Sequence, residues 1–146
     1  MESTTRVPAG ANELAFKTLM KEAGVKLQGK RRFVRGDVEI SVDESFTHNG
    51  RQYYVEIDSA NMAKLLVGQY VLLNELHLPT ESAPVFLVVH YYKKYQPMRT
   101  IKNLALVNQQ CYGGAGIEFA ALHKSQLVGW DGSIDTLLAK AHRASV

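Results

Sequence analysis

Cysteine is nearly missing from this chain: Cys111 is the single one among 146 residues. One thiol excludes an internal disulfide and a cysteine-built zinc cage, and it fits a reduced intracellular compartment. Long apolar runs are missing as well. No stretch approaches the ~20 apolar residues that a membrane-crossing helix needs, so no membrane partner is expected. The opening residues, MESTTRVPAG, hold no apolar stretch, so no signal peptide is expected and the reading is cytoplasmic. Repeats, low-complexity tracts and a dividing linker are absent. Residues 1–10 are expected to form a flexible tail, and 11–146 a single domain with one core. A strong net charge is also lacking. Seventeen Lys and Arg stand against 14 Asp and Glu, leaving +3. His48, His77, His90 and His123 lack the spacing of a zinc site. The glycine-rich run from Cys111 to Gly116 lacks the lysine and hydroxyl of a phosphate-binding loop, and reads as a turn.

What is present is unevenly spread. From Gly36 to Asp58 the chain reads GDVEISVDESFTHNGRQYYVEID. Val38, Ile40 and Val42 alternate with Asp37, Glu39, Ser41 and Asp43; Tyr53, Val55 and Ile57 alternate with Tyr54, Glu56 and Asp58. Period-two alternation gives each segment one apolar and one acidic face. Asn49-Gly50 between them is a strong hairpin signal. A single hairpin closed there brings Asp37 towards Glu56 and Asp58. Three carboxylates on one face form a set of hard oxygen ligands suited to Mg²⁺ or Mn²⁺. The plainer reading is an exposed acidic hairpin face. Immediately before it, Lys26, Lys30, Arg31, Arg32 and Arg35 form a basic segment. This is either a solvated connection or a seat for a polyanion.

The rest of the chain supplies the frame. Ala11 to Ala23 has the apolar spacing of a helix, with Asn12 as its expected cap and Glu13 in its first turn. Phe33 and Val34 suggest a first strand, making three antiparallel strands with the hairpin. Ala60 to Leu76 reads as a helix capped by Ser59, carrying Lys64, Gln69 and Tyr70. Pro84 to Tyr92 is continuously apolar and aromatic, as a strand covered on both faces is. Between them, His77 to Ala83 reads as a loop. Lys93, Lys94, Arg99 and Lys102 follow, interleaved with Tyr91, Tyr92 and Tyr95, a mixture that stacks on bases or merely borders a core. A helix over Thr100 to Gln110, a strand over Ile117 to Leu122 and a helix over Ile134 to Ala144 complete the chain.

The order helix, three strands, helix, strand, with this acidic hairpin, resembles the PD-(D/E)XK nuclease superfamily. That superfamily includes restriction endonucleases, archaeal Holliday-junction resolvases and many phage and mobile-element nucleases. The resemblance spans about residues 11–92 and rests on short, degenerate motifs. Gly36-Asp37 stands where the family has Pro-Asp, and Glu56-Ile57-Asp58 where it has an acid, any residue and Lys. Glu13 matches the acid that many members carry in the first helix. Gln69 and Tyr70 lie in the helix where some members carry Gln and Tyr, at a different separation. Asp58 in place of the lysine is the main departure; Lys64, on the following helix, is the residue that would compensate.

The resemblance implies an α/β fold with a mixed central sheet flanked by helices, an αβββαβ restriction-endonuclease-like core with a C-terminal αβα extension. It implies a Mg²⁺- or Mn²⁺-dependent hydrolysis of phosphodiester bonds, in DNA. Asp37, Glu56 and the Ile57 carbonyl would hold the metal. Asp58 would bind a second ion or act as base, Lys64 would supply positive charge, and Glu13 would support the shell through water. Lys30, Arg31, Arg32, Arg35, Lys93 and Lys94 would grip the backbone, a contact without sequence preference. Little surface is left for reading bases, so cutting would be structure-selective or directed by a specificity-giving protein partner, and a homodimer fits equally. The second reading is a catalytically silent member of the fold serving as a nucleic-acid-binding or assembly subunit. A third is an unrelated small α/β binding protein.

Overall fold

The computed structural model describes residues 10–78 and 83–144. The expected tail lies outside these residues except for Gly10, and so does the middle of the loop expected over His77 to Ala83. The elements, in order, are α1 (Ala11–Glu22), β1 (Arg31–Arg35), β2 (Val38–Val42), β3 (Glu44–His48), β4 (Arg51–Asp58), α2 (Ala63–Leu76), β5 (Val85–His90), α3 (Pro97–Tyr112), β6 (Glu118–His123), a 3-10 turn over Lys124–Leu127, and α4 (Ile134–Lys140). Among the described residues no helix is long and apolar enough to cross a membrane.

The chain is an α/β protein with a mixed four-stranded sheet in the order β3-β4-β5-β6. The β3–β4 pair is antiparallel, and β4–β5 and β5–β6 are parallel. Parallel neighbours need a long crossover, which α2 and α3 provide. Every residue of β5 is buried, as its continuous apolar sequence requires in a central strand covered on both faces. Alternation along the strands divides the core in two. Tyr53, Val55, Val85, Leu87 and Leu122 face Phe16 and Met20 of α1 and Leu137 of α4. Tyr54, Phe86, Val88 and Ala121 face Leu66, Tyr70 and Leu73 of α2 and Ile101 and Leu104 of α3. Each such large apolar side chain contributes about 1.5–3 kcal/mol by leaving water.

Two expectations are corrected here. The segment from Arg31 to Asp58 forms two hairpins, not one hairpin and a preceding strand. β1 and β2 make their own two-stranded sheet, with Arg35 opposite Val38. That register leaves Gly36-Asp37 as a two-residue turn, and Gly36 sits at φ 59°. β3 and β4 make the second hairpin, with His48 opposite Arg51. Its turn, Asn49-Gly50, has φ of 50° and 75°, as primed two-residue turns demand. β3 was missed because the polar residues Asp43, Glu44, Ser45 and Thr47 obscure its pattern. The helix caps also differ. Gly10 rather than Asn12 caps α1, and Met62 rather than Ser59 precedes α2. Asn61 instead accepts a hydrogen bond from Arg99 of α3 at 3.1 Å.

Candidate functional site

β3 stops pairing with β4 where Glu44 faces Val55. Beyond that point Glu56, Ile57 and Asp58 continue alone on that edge, and the Ile57 amide would be orphaned. Asp43, at the bend between β2 and β3, supplies the acceptor: the Ile57 N–H donates to its Oδ2 at 2.7 Å. This bond draws a carboxylate against the end of β4. Glu56 and Glu13 of α1 are both close enough to feel the charge of Asp43. Asp43 thus takes part in two acid pairs, Glu13–Asp43 and Asp43–Glu56. Among the described residues no group of three or more His, Cys, Asp or Glu side chains is arranged to hold a metal ion. The pair Asp43 and Glu56 is the set suited to one, since Mg²⁺ takes one or two carboxylates and fills its remaining positions with water and substrate.

Glu56 is the most perturbed acid. Burial, followed by repulsion from Asp43, pushes its carboxyl from the ordinary 4.5 up to about 8, with Gln69 opposing the shift. Its Oε1 is buried without a hydrogen-bond partner. Burial raises Glu13 as well, with Asp43 adding to the shift and Lys17 and Lys30 opposing it. A buried, unpartnered carboxylate oxygen beside a second carboxylate is a place where a cation gains and a proton substitutes for it. Glu56 binds its proton more tightly folded than unfolded. Its contribution to stability is therefore complete below its ordinary pKa and is lost as the pH rises through about 8. Thermal denaturation without divalent ions should show a midpoint falling over that interval, and Glu56→Gln should remove most of the slope. An unchanged slope in Glu56→Gln would place the pH dependence elsewhere.

Glu56 opens onto a groove of about 560 Å³ between β2 and α2, lined by Glu39, Ser41, Lys64, Gly68 and Gln69 among others. Lys64 is exposed on its rim. Gln69 is buried and donates to the Ser41 carbonyl at 3.1 Å, tying α2 to β2. Tyr70 does not share this groove. It is fully buried and donates to the Ile117 carbonyl at 2.6 Å, so it belongs to the core.

Two other expected site residues are placed elsewhere. Asp37 is exposed at the tip of the β1–β2 hairpin. It lies six residue steps of extended chain from Asp43, about 20 Å. The single-hairpin register that brought it to Glu56 does not exist. Asp58 follows Glu56 on the same face but is buried, and the His90 Nδ1 lies 2.9 Å from its Oδ2. With Nδ1–H donating to Asp58, Nε2 accepts from the Thr100 hydroxyl at 2.9 Å, and Thr100 accepts from Tyr95 at 3.0 Å. Tyr95 stacks on the His90 ring, centroids 4.0 Å apart. Asp58 is thus held in a buried network joining β4, β5 and α3. The Ile57 side chain is in the core.

The basic residues divide. Lys30 is close enough to Glu13 to act on its carboxyl. Arg31 lies over the rings of Phe33 and Tyr54, 5.4 and 5.5 Å from their centroids. Arg32 pairs with Glu39 across the hairpin at 2.7 Å. Arg35 donates to the Glu75 carbonyl of α2. Lys93 and Lys94 are exposed beyond the end of β5. Asp43 is the residue that the sequence reading did not assign. Its signal is the pair Asp43-Glu44, which breaks the alternation between two strand-like runs and marks a bend.

No protein-family model matches the chain, and no curated protein matches it. A solved structure of a protein of unknown function, AF1548, is similar at 15% identity and a TM-score of 0.44, over 76% of this chain and 55% of that one. The chain spans about half the length of that structure.

Proposed function

We propose that this chain is a metal-dependent nuclease with a restriction-endonuclease-like core, hydrolysing phosphodiester bonds in DNA. The observation that carries the reading is the convergence of Asp43 and Glu56 at the open end of β4, with Glu56 Oε1 buried and unpartnered. Asp43 and Glu56 would hold Mg²⁺ or Mn²⁺, and Glu13 would steady the arrangement from α1. Such an ion, when bound, polarises the phosphoryl oxygen and lowers the pKa of a coordinated water. Asp43 keeps its orientation through the Ile57 amide, so the pair is fixed before any ion or substrate arrives. Gln69 holds α2 against β2 and so fixes the groove in which Glu56 stands. Lys64, on the rim, supplies the positive charge that Asp58 does not, facing a phosphate laid across the groove. Lys30 and Arg31 extend that charge along the backbone of the substrate.

A metal-dependent cleavage assay over duplex, single-stranded, flap and four-way substrates tests the reading, and loss of product in EDTA is the expected control. Lys64→Met should lower the rate at least about tenfold, the scale of one lost charge-assisted contact in the transition state, with Mn²⁺ affinity unchanged. Equal rates for the two proteins would remove Lys64 from the chemistry. A silent, nucleic-acid-binding member of the fold is the second reading. It is favoured by the burial of Asp58 against His90 where the family has a lysine. Binding without cleavage of any substrate would select it.

A further inference from the structure

The C-terminal end of the sheet carries a second basic surface that the carboxylate site does not use. β5 ends at His90, in register with Asp58 of β4 and His123 of β6. The Tyr91 amide still donates to the Asp58 carbonyl at 2.8 Å, so the segment that follows starts beside the end of β4. It turns at once. The Tyr92 carbonyl accepts from the Tyr95 amide at 3.1 Å and from His123 Nε2 at 2.8 Å. Tyr95 is buried and bonded to Thr100. The turn is therefore tied down at both ends, and it presents Lys93 and Lys94 outward. Tyr92 is 44% exposed, a large ring left in water. Lys124, from β6's end, lies over the neighbouring Tyr91 ring at 5.5 Å. Beside the turn is a hollow of about 400 Å³ lined by Lys94, Gln96, His123, Gln126 and His142 among others, with no Asp or Glu among its described lining residues.

We infer that this surface is a single-strand seat, on which an unpaired nucleic-acid tail lies with its phosphates on Lys93, Lys94 and Lys124 and a base stacked on Tyr92. The inference rests on the nucleic-acid reading proposed above and names its substrate class, a duplex bearing a single-stranded end. An exposed ring amid lysines fits unpaired bases, because every base offers a π-face once unstacked, whereas a duplex offers none along its side. Lysines beside a hollow whose described lining holds no acid fit the backbone and read no sequence. The hollow, rich in hydrogen-bonding groups and in the size range of ligand pockets, receives the next base or its sugar. From β4 to β6 is two strand spacings, about 10 Å, so the tail lies at the same end of the sheet as Glu56.

The test is binding in EDTA, where no cleavage occurs, of a labelled single strand, the same sequence as a duplex, and that duplex with a single-stranded tail. Tyr92→Ala should weaken binding of the single strand and the tailed duplex about tenfold, the worth of one stacked base, and leave the blunt duplex within about twofold. Tyr92→Phe should restore binding, because the ring and not the hydroxyl is used. Equal losses on all three substrates, or no loss on any, would overturn the seat while leaving the nuclease reading intact. Binding of none of the three by the unaltered protein would overturn both.

Discussion

Replacing Asp43 by Asn is expected to cut metal-dependent cleavage by roughly 10²–10³-fold, while Asp37→Asn stays within about twofold. The first figure is the several kcal/mol of charge stabilisation that a held ion supplies, at tenfold per 1.36 kcal/mol. Asn keeps an oxygen that can accept from the Ile57 amide, so the bend is preserved and the lost quantity is charge. Asp37 is a solvated turn residue about 20 Å along the strand, beyond the reach of any shared ion. Both variants should unfold at or near the parent temperature, which separates lost chemistry from lost fold. If Asp37→Asn were the inactive protein, the two-hairpin register would be contradicted.

His90→Ala is expected to destabilise the protein by about 3 kcal/mol, because it leaves the buried Asp58 carboxylate and the Thr100 hydroxyl without their shared partner. For a domain of this size that lowers the melting temperature by roughly 10 °C. Calorimetric or dichroism-monitored melting measures it. Asp58→Lys, which installs the lysine of the motif that the sequence resembles, should behave like a packing defect, since a lysine there would set its charge against His90 in the core. A gain of cleavage in Asp58→Lys without loss of stability would show that Asp58 occupies the catalytic position directly.

These two sites show what could be read from the chain. The central strands were legible because burial leaves a continuous apolar run in β5 and clean alternation in β4. The Asn49-Gly50 turn was legible because few dipeptides adopt two successive positive φ angles. Glu56 was found because it lies on the acidic face of the alternation in β4, at the acidic position of the motif that Glu56-Ile57-Asp58 resembles. Asp43 was not, because its role follows from a hydrogen bond to Ile57 that exists only once β3 ends opposite Val55. Asp37 attracted the assignment because Gly-Asp mimics a family motif, yet Gly-Asp is equally a two-residue turn. Nothing local distinguishes those uses; the second strand pairing, β1 with β2, decides between them. Asp58 read as a free acid because its partner His90 lies on another strand, 32 residues away in sequence. Tyr70 read as polar because the carbonyl that satisfies its hydroxyl belongs to Ile117, 47 residues distant.

That Asp43 and Glu56 together hold one cation is tested most directly by titrating the protein with Mn²⁺ in a calorimeter, near neutral pH and in two buffers of different ionisation enthalpy. Glu56, pushed up to about 8, carries its proton near neutrality and must release it when the ion binds. One ion should therefore bind with close to one proton released. The binding should disappear in Asp43→Asn and in Glu56→Gln and persist in Asp37→Asn. Binding that survives either of the first two substitutions, or that releases no proton, would contradict the site.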